Sequence, residues 1–168
     1  MSVQIAELFR RVSHGVYVIG VAGSERRNAF TAAWVMQVSF KPLMLALSVN
    51  PGHLSYGLLK QSGRFSVNVL GRDQFDLALH FGQPSSVDKL AEQPWHPGDG
   101  GVPLLDSAIA QFECVLTDEC TAGDHRVIVG KVISGELLRP DDVPMLYRDT
   151  GNVDGAAMFF PDAFEDDA

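Results

Sequence analysis

From Gly15 to Leu138 the chain is a succession of short apolar runs rich in β-branched and aromatic residues, most of them closed by a turn signal. Runs of this kind fold as strands, and tight turns between them force antiparallel neighbours. The clearest is Leu43–Asn50, LMLALSVN. There Leu43, Leu45, Leu47 and Val49 alternate with Met44, Ala46, Ser48 and Asn50, so one face is greasy and the other smaller and partly polar.

The same reading gives a strand over Gly15–Ala22, a polar turn over Gly23–Asn28 and one long strand over Phe30–Phe40. After the Pro51-Gly52 turn, Leu54–Gln61 reads as a short helix stopped by Gly63. Phe65, Val67 and Val69 alternate with Ser66 and Asn68 as a half-buried strand, and Asp73–Phe81 reads as a helix packing Phe75, Leu77, Leu79 and Phe81. Ser85 with Asp88 three residues later signals another helical turn, and Gln93–Pro103 reads as irregular. Two long strands follow, one carrying Phe112, Cys114 and Leu116 on one face, the other spanning Arg126–Leu138, with Gly123-Asp124 in the turn. At the start, Ile5, Leu8, Phe9 and Val12 mark one face of a short amphipathic helix. About six strands with short helical insertions, and no regular strand–helix alternation, describe a mainly β barrel.

The 168 residues carry no repeat or second core, so one domain over 1–168 is expected, with an acidic tail over about 161–168. The net charge of −8 argues against nucleic acid as a partner. No apolar run reaches the roughly 18–20 residues that span a bilayer. Two cysteines are too few for a secreted disulfide scaffold, which places the chain in the cytoplasm. No G-x-G-x-x-G follows a strand, and no phosphate loop or nucleophile elbow is present. Cys114, Cys120 and His125 form a weak metal signature, better read as a buried thiol, a loop thiol and a turn histidine, so no metal is expected.

Three segments together resemble the flavin reductase-like family of FMN-binding split β-barrels. They are Asn28–Asn50 (NAFTAAWVMQVSFKPLMLALSVN), Ser55–Gly82 (SYGLLKQSGRFSVNVLGRDQFDLALHFG), and Gly123-Asp124-His125 leading into a strand with Gly130. The resemblance implies a six-stranded antiparallel Greek-key split barrel that forms a homodimer. It also implies FMN as cofactor and NADH or NADPH as hydride donor, with reduced flavin passed to a separate oxygenase component. An FMN-binding electron-transfer protein with a protein redox partner shares that fold.

By the same resemblance, Thr31, Ala32, Ala33 and Trp34 run beside the flavin ring, and Ser48, Val49 and Asn50 supply a second strand end. His53 and Ser55 open the helix that holds the phosphate, where free N–H groups and the helix dipole favour an anion. Phe81, Gly82 and Lys89 close the pocket, with Lys89 as a counter-charge. His125 is the catalytic-site residue and positions nicotinamide, Asp124 orients its ring, and Gly15 is a backbone neighbour of the nicotinamide. A plain reading stands beside each: strand residues, a turn-forming asparagine, a capping serine, a surface lysine and a turn histidine.

Overall fold

The computed structural model describes residues 5–164. Seven antiparallel strands form one sheet in the order β2-β1-β5-β8-β9-β4-β3. In chain order these are β1 (Tyr17–Ala22), β2 (Arg27–Ala32), β3 (Val35–Phe40), β4 (Leu43–Val49), β5 (Arg64–Val69), then β8 (Ala110–Ala122) and β9 (His125–Leu137). Between the last two groups lies a small ribbon, β6 (Trp95–Pro97) paired with β7 (Pro103–Leu105). The helices are α1 (Ile5–Phe9), α2 (Leu54–Ser62) and α3 (Phe75–Phe81).

The strand count corrects the expected six. The run Phe30–Phe40 is not one strand: it breaks at Ala33–Trp34, where no proline or glycine marks a stop. The cause is tertiary. β2 pairs with β1 and β3 pairs with β4, at opposite edges of the sheet. Yet only two residues separate them, and three Cα steps span at most about 11 Å. The edges must therefore meet there, and the sheet curls into a barrel whose seam is covalent rather than hydrogen-bonded.

Alternation along β1 separates two cores. Ile19 and Val21 point into the barrel with Leu47, Val49, Phe65, Val67, Cys114 and Ile128, and α2 plugs this interior with Leu58 and Leu59. Val18 points the other way, toward Leu70, Phe81, Leu105 and Met145. Gly130 on β9 has a steric reason: a Cβ there would lie 2.5 Å from two atoms of the Phe65 ring. Helix α2 ends at Gly63, whose φ of 62° is the left-handed conformation that glycine adopts without strain.

β5 was expected to be half-buried, but Ser66 and Asn68 are fully enclosed. The β6–β7 ribbon covers that face and makes it polar but satisfied. Asn68 Nδ2 donates to Val18 O at 3.0 Å and its Oδ1 accepts from Leu105 N at 2.8 Å, while the Ser66 hydroxyl donates to Pro103 O. Other differences are smaller. α1 stops at Phe9, leaving Val12 outside the helix and exposed. α3 starts at Phe75 and leaves Phe75 and Leu79 exposed. Ser85–Asp88 forms turns, not a helix. The acidic residues Glu165–Asp167 lie outside the described residues.

Candidate functional site

The end of β2, helix α3 and the segment after Met145 enclose a cleft of about 320 Å³. Thr31, Ala32 and Ala33 form one wall, Ala78 and Gly82 a second, and Tyr147 a third. β2 is an edge strand, so its outer N–H and C=O groups have no ladder partner in the sheet. The small side chains leave those groups open to a flat ligand. The Thr31 hydroxyl donates to Ala78 O at 2.7 Å, so toward a ligand it can only accept.

Trp34 turns the corner of the seam. Its carbonyl accepts from Ser48 N at 3.0 Å, and its indole leans on the His125 imidazole with ring centroids 4.9 Å apart. Val49 pairs with Arg126 across β4 and β9. Thr31–Trp34, Ser48 and His125 are thus brought together, from three elements far apart in sequence. The His125 ring contacts Asp124 Oδ1 at 2.7 Å through Nδ1. A carboxylate only accepts, so Nδ1 carries the proton and Nε2 is left for another partner. The contact with His125 holds the Asp124 carboxyl below the usual carboxylate range.

Several expected site residues take other tasks. Val49 is buried in the barrel core, so its side chain faces away from any surface ligand. Asn50 Oδ1 accepts from Gly52 N at 2.8 Å, an Asx turn. His53 is the exposed N-cap of α2 and makes no side-chain cap. Ser55 is buried and its hydroxyl accepts from Asn28 Nδ2 at 2.9 Å, so Asn28 covers it. Phe81 is a core residue.

Lys89 is neither on the surface nor free. It is buried, and its ammonium donates to Phe81 O at 3.2 Å and Gln83 O at 3.1 Å, which caps the C-terminus of α3. Burial lowers its pKa. Gly15 bridges to Leu146, beside Val16, which lines the cleft.

Tyr147 escaped the ligand reading. Its hydroxyl donates to Asp154 Oδ2 at 2.7 Å, and burial, then Asp154, push its pKa up to about 12. Asn28 was also passed over, although it opens the first of the three segments. A second, larger cleft of about 630 Å³ runs from Asn28 to Trp95.

Residues 9–156 match the family described as the flavin reductase like domain. The chain belongs to that family. Among solved structures, the NADH:FAD oxidoreductase SgcE6 of Streptomyces globisporus C-1027 is 31% identical, with a TM-score of 0.78 over 85% of this chain and 86% of that one. Flavin reductase HpaC complexed with NADP+ is 25% identical with a TM-score of 0.76, covering 85% and 90% of the two chains. The mainly β architecture is thus the barrel of the flavin reductases. A ferric-chelate reductase (NAD(P)H) of Archaeoglobus fulgidus is 29% identical over 85% of this chain and 86% of its own length. A putative diflavin flavoprotein A 1 of Thermosynechococcus vestitus is 30% identical over 84% of this chain, which spans only 26% of that relative. Among the described residues no helix is long and apolar enough to cross a membrane.

Proposed function

We propose that this chain is an NAD(P)H-dependent flavin reductase that binds FMN. The single observation behind this is the assembly at the seam: the Thr31–Ala33 edge, and Trp34 packed on the Asp124-bound His125. The residues fit a flat heteroaromatic ring. Ala32 and Ala33 leave the edge strand open, and the Thr31 hydroxyl offers lone pairs to a ring N–H. A bound flavin supplies the hydride-accepting chemistry, at its N5. The protein's part is to position. His125, its tautomer fixed by Asp124, presents Nε2 to the nicotinamide carboxamide, and Gly15, next to Val16 of the cleft wall, is a backbone neighbour of the nicotinamide. The first turn of α2 would hold the flavin phosphate, with Asn28 rather than the buried Ser55 offering the side chain.

The working unit is a homodimer. β3 exposes Met36, Val38 and Phe40, the last at 81%, an apolar edge that a second copy would cover. Both cysteines are free thiols, as suits the cytoplasm. The physiological acceptor of reduced flavin is a separate oxygenase. A nitrilotriacetate monooxygenase component B homologue from Mycobacterium thermoresistibile is 30% identical with a TM-score of 0.75.

The test is the absorbance of protein with FMN, without oxygen, before and after NADH and then NADPH. Bleaching over many turnovers is expected. FMN that stays bound and oxidised would overturn the reductase reading in favour of an electron-transfer protein. His125→Ala should raise the KM for the nicotinamide donor about tenfold or more, a loss of about 1.4 kcal/mol, with FMN affinity little changed. An unchanged KM removes His125 from that role.

A further inference from the structure

We propose that residues 148–160 form a strap that gates the flavin cleft, hinged after Tyr147 and latched by Phe160 on Phe9. The proposal rests on the flavin reading above for the identity of the ligand, and on the fastening of the cleft's walls for the motion.

Of the three walls, two are fixed. The β2 wall is paired to β1 along its whole length, from Arg27 to Ala32. The α3 wall is tied to β2 by the Thr31 hydroxyl on Ala78 O, anchored in the core by Phe81 and capped by Lys89. The third wall carries Tyr147, Thr150, Val153 and Asp154. Its base is as firm as the others: Met145 N donates to Leu70 O at 2.9 Å, and Tyr147 N to His14 O at 2.9 Å. Beyond that the fastening ends. Among the described residues, every hydrogen bond made from Arg148 onward stays within 146–160, and no residue from Arg148 to Phe164 is buried.

A segment whose hydrogen bonds are all its own opens as a unit, at a free energy below that of the sheet it covers. Two glycines bracket Val153 and Asp154, which line the cleft. Gly151 has a φ of 70° and Gly155 a φ of 69°, a region other residues adopt only under strain. At neither would a Cβ meet another atom within 4 Å, so local backbone and not packing sets these turns. The strap can therefore swing without unpacking anything beneath its glycines.

Two contacts hold it down. The Tyr147 hydroxyl, on the firm side of the hinge, donates to Asp154 Oδ2 at 2.7 Å. Farther along, the Phe160 ring packs on Phe9 of α1 with centroids 5.2 Å apart. Those two rings, with His14, Trp34 and Tyr147, line a hollow of about 60 Å³. That is well below the roughly 300 Å³ of the smallest ligand clefts, so these aromatics serve as a latch and not as a second site. Trp34 is shared: it lines the hollow and leans on the His125 imidazole. Closing the strap thus completes the third wall, shields the cleft from water and seats the side chain on which His125 rests.

The experiment follows amide exchange of the full-length protein by mass spectrometry, free and with FMN, and FMN binding by stopped flow in wild type and Phe160→Ala. Urea midpoints are compared to confirm that both proteins fold. In the free protein the amides of 148–160 should exchange through an opening that β1 does not share, and FMN should slow them about tenfold or more. Phe160→Ala should speed FMN association and dissociation together, each about threefold or more, with Kd little changed, because the lost aromatic pair holds the closed strap with and without ligand. A residue that merely touched the flavin would speed dissociation alone, so an unchanged association rate overturns the gate. Exchange of 148–160 as slow as that of β1 in the free protein also overturns it. FMN refused by wild type, with 148–160 still opening ahead of the sheet, would instead sink the flavin reading and leave the strap standing over a cleft for another ligand.

Discussion

Replacing Gly130 by alanine places a methyl group against the wall of the barrel core. Its Cβ would lie 2.5 Å from two Phe65 ring atoms and 3.0 Å from the Cys114 Cβ. Carbon atoms rest at about 3.5–4.0 Å, so roughly 1 Å must be found. Phe65 is fully buried among Leu47, Val67 and Ile128, and its ring has no solvent to swing into. Overpacking of this kind costs about 1–3 kcal/mol, and removing glycine from a strand returns about 0.5–1 kcal/mol. Two ring atoms at 2.5 Å put the cost at the upper end of that range, so the net loss should be about 2 kcal/mol, read as a lower urea midpoint by circular dichroism at fixed protomer concentration. Placing leucine at Phe65 relieves the clash, so the double-mutant cycle should show a coupling of about 1 kcal/mol in favour of the pair. A Gly130→Ala protein as stable as wild type would refute the reasoning. So would a cost that is the same with leucine at position 65.

Lys89→Met removes the donor to Phe81 O and Gln83 O and should cost about 1–3 kcal/mol of stability while FMN affinity holds. Weakened FMN with unchanged stability would restore Lys89 as a phosphate counter-charge. A thiol reagent should modify exposed Cys120 in the folded protein and leave Cys114, whose thiol burial and then Glu113 push up to about 12, untouched until unfolding. Reaction of both in the native state would contradict the packed barrel interior. Tyr147 has its pKa raised from 10.0 to about 12, so its contribution is complete below pH 10 and is lost as pH rises from there through 12. Alkaline unfolding of Tyr147→Phe should be less steep over that range, and equal steepness would discount the Tyr147–Asp154 contact.

What the sequence made legible was local chemistry. Gly63 announced the end of α2, Gly123-Asp124 announced the β8–β9 turn, and alternation picked Leu47 and Val49 for the core. What it hid was decided by distant partners. Nothing in Phe30–Phe40 signals the break at Ala33–Trp34, because the break exists only to carry the chain from one sheet edge to the other. Ser66 and Asn68 look like a solvent face until the β6–β7 ribbon supplies their hydrogen bonds. Lys89 looks like a surface charge until the carbonyls at the end of α3 are seen around its ammonium. At the site, motif order picked out Thr31–Trp34 and His125, which do converge. It also named Val49, although alternation sets it on the greasy face, and Ser55, whose cover by Asn28 no spacing reveals.

The covalent seam at Ala33–Trp34 makes the barrel behave as a cut ring clasped by a short strap. β2 and β3 share no ladder, so either margin can exchange its amide protons with water while the five strands between them stay zipped. A ligand lying along Thr31–Trp34 sits on the clasp itself. Its occupancy is then felt at both margins at once, as a rivet holds two ends of a band, although those margins stand at opposite ends of the sheet.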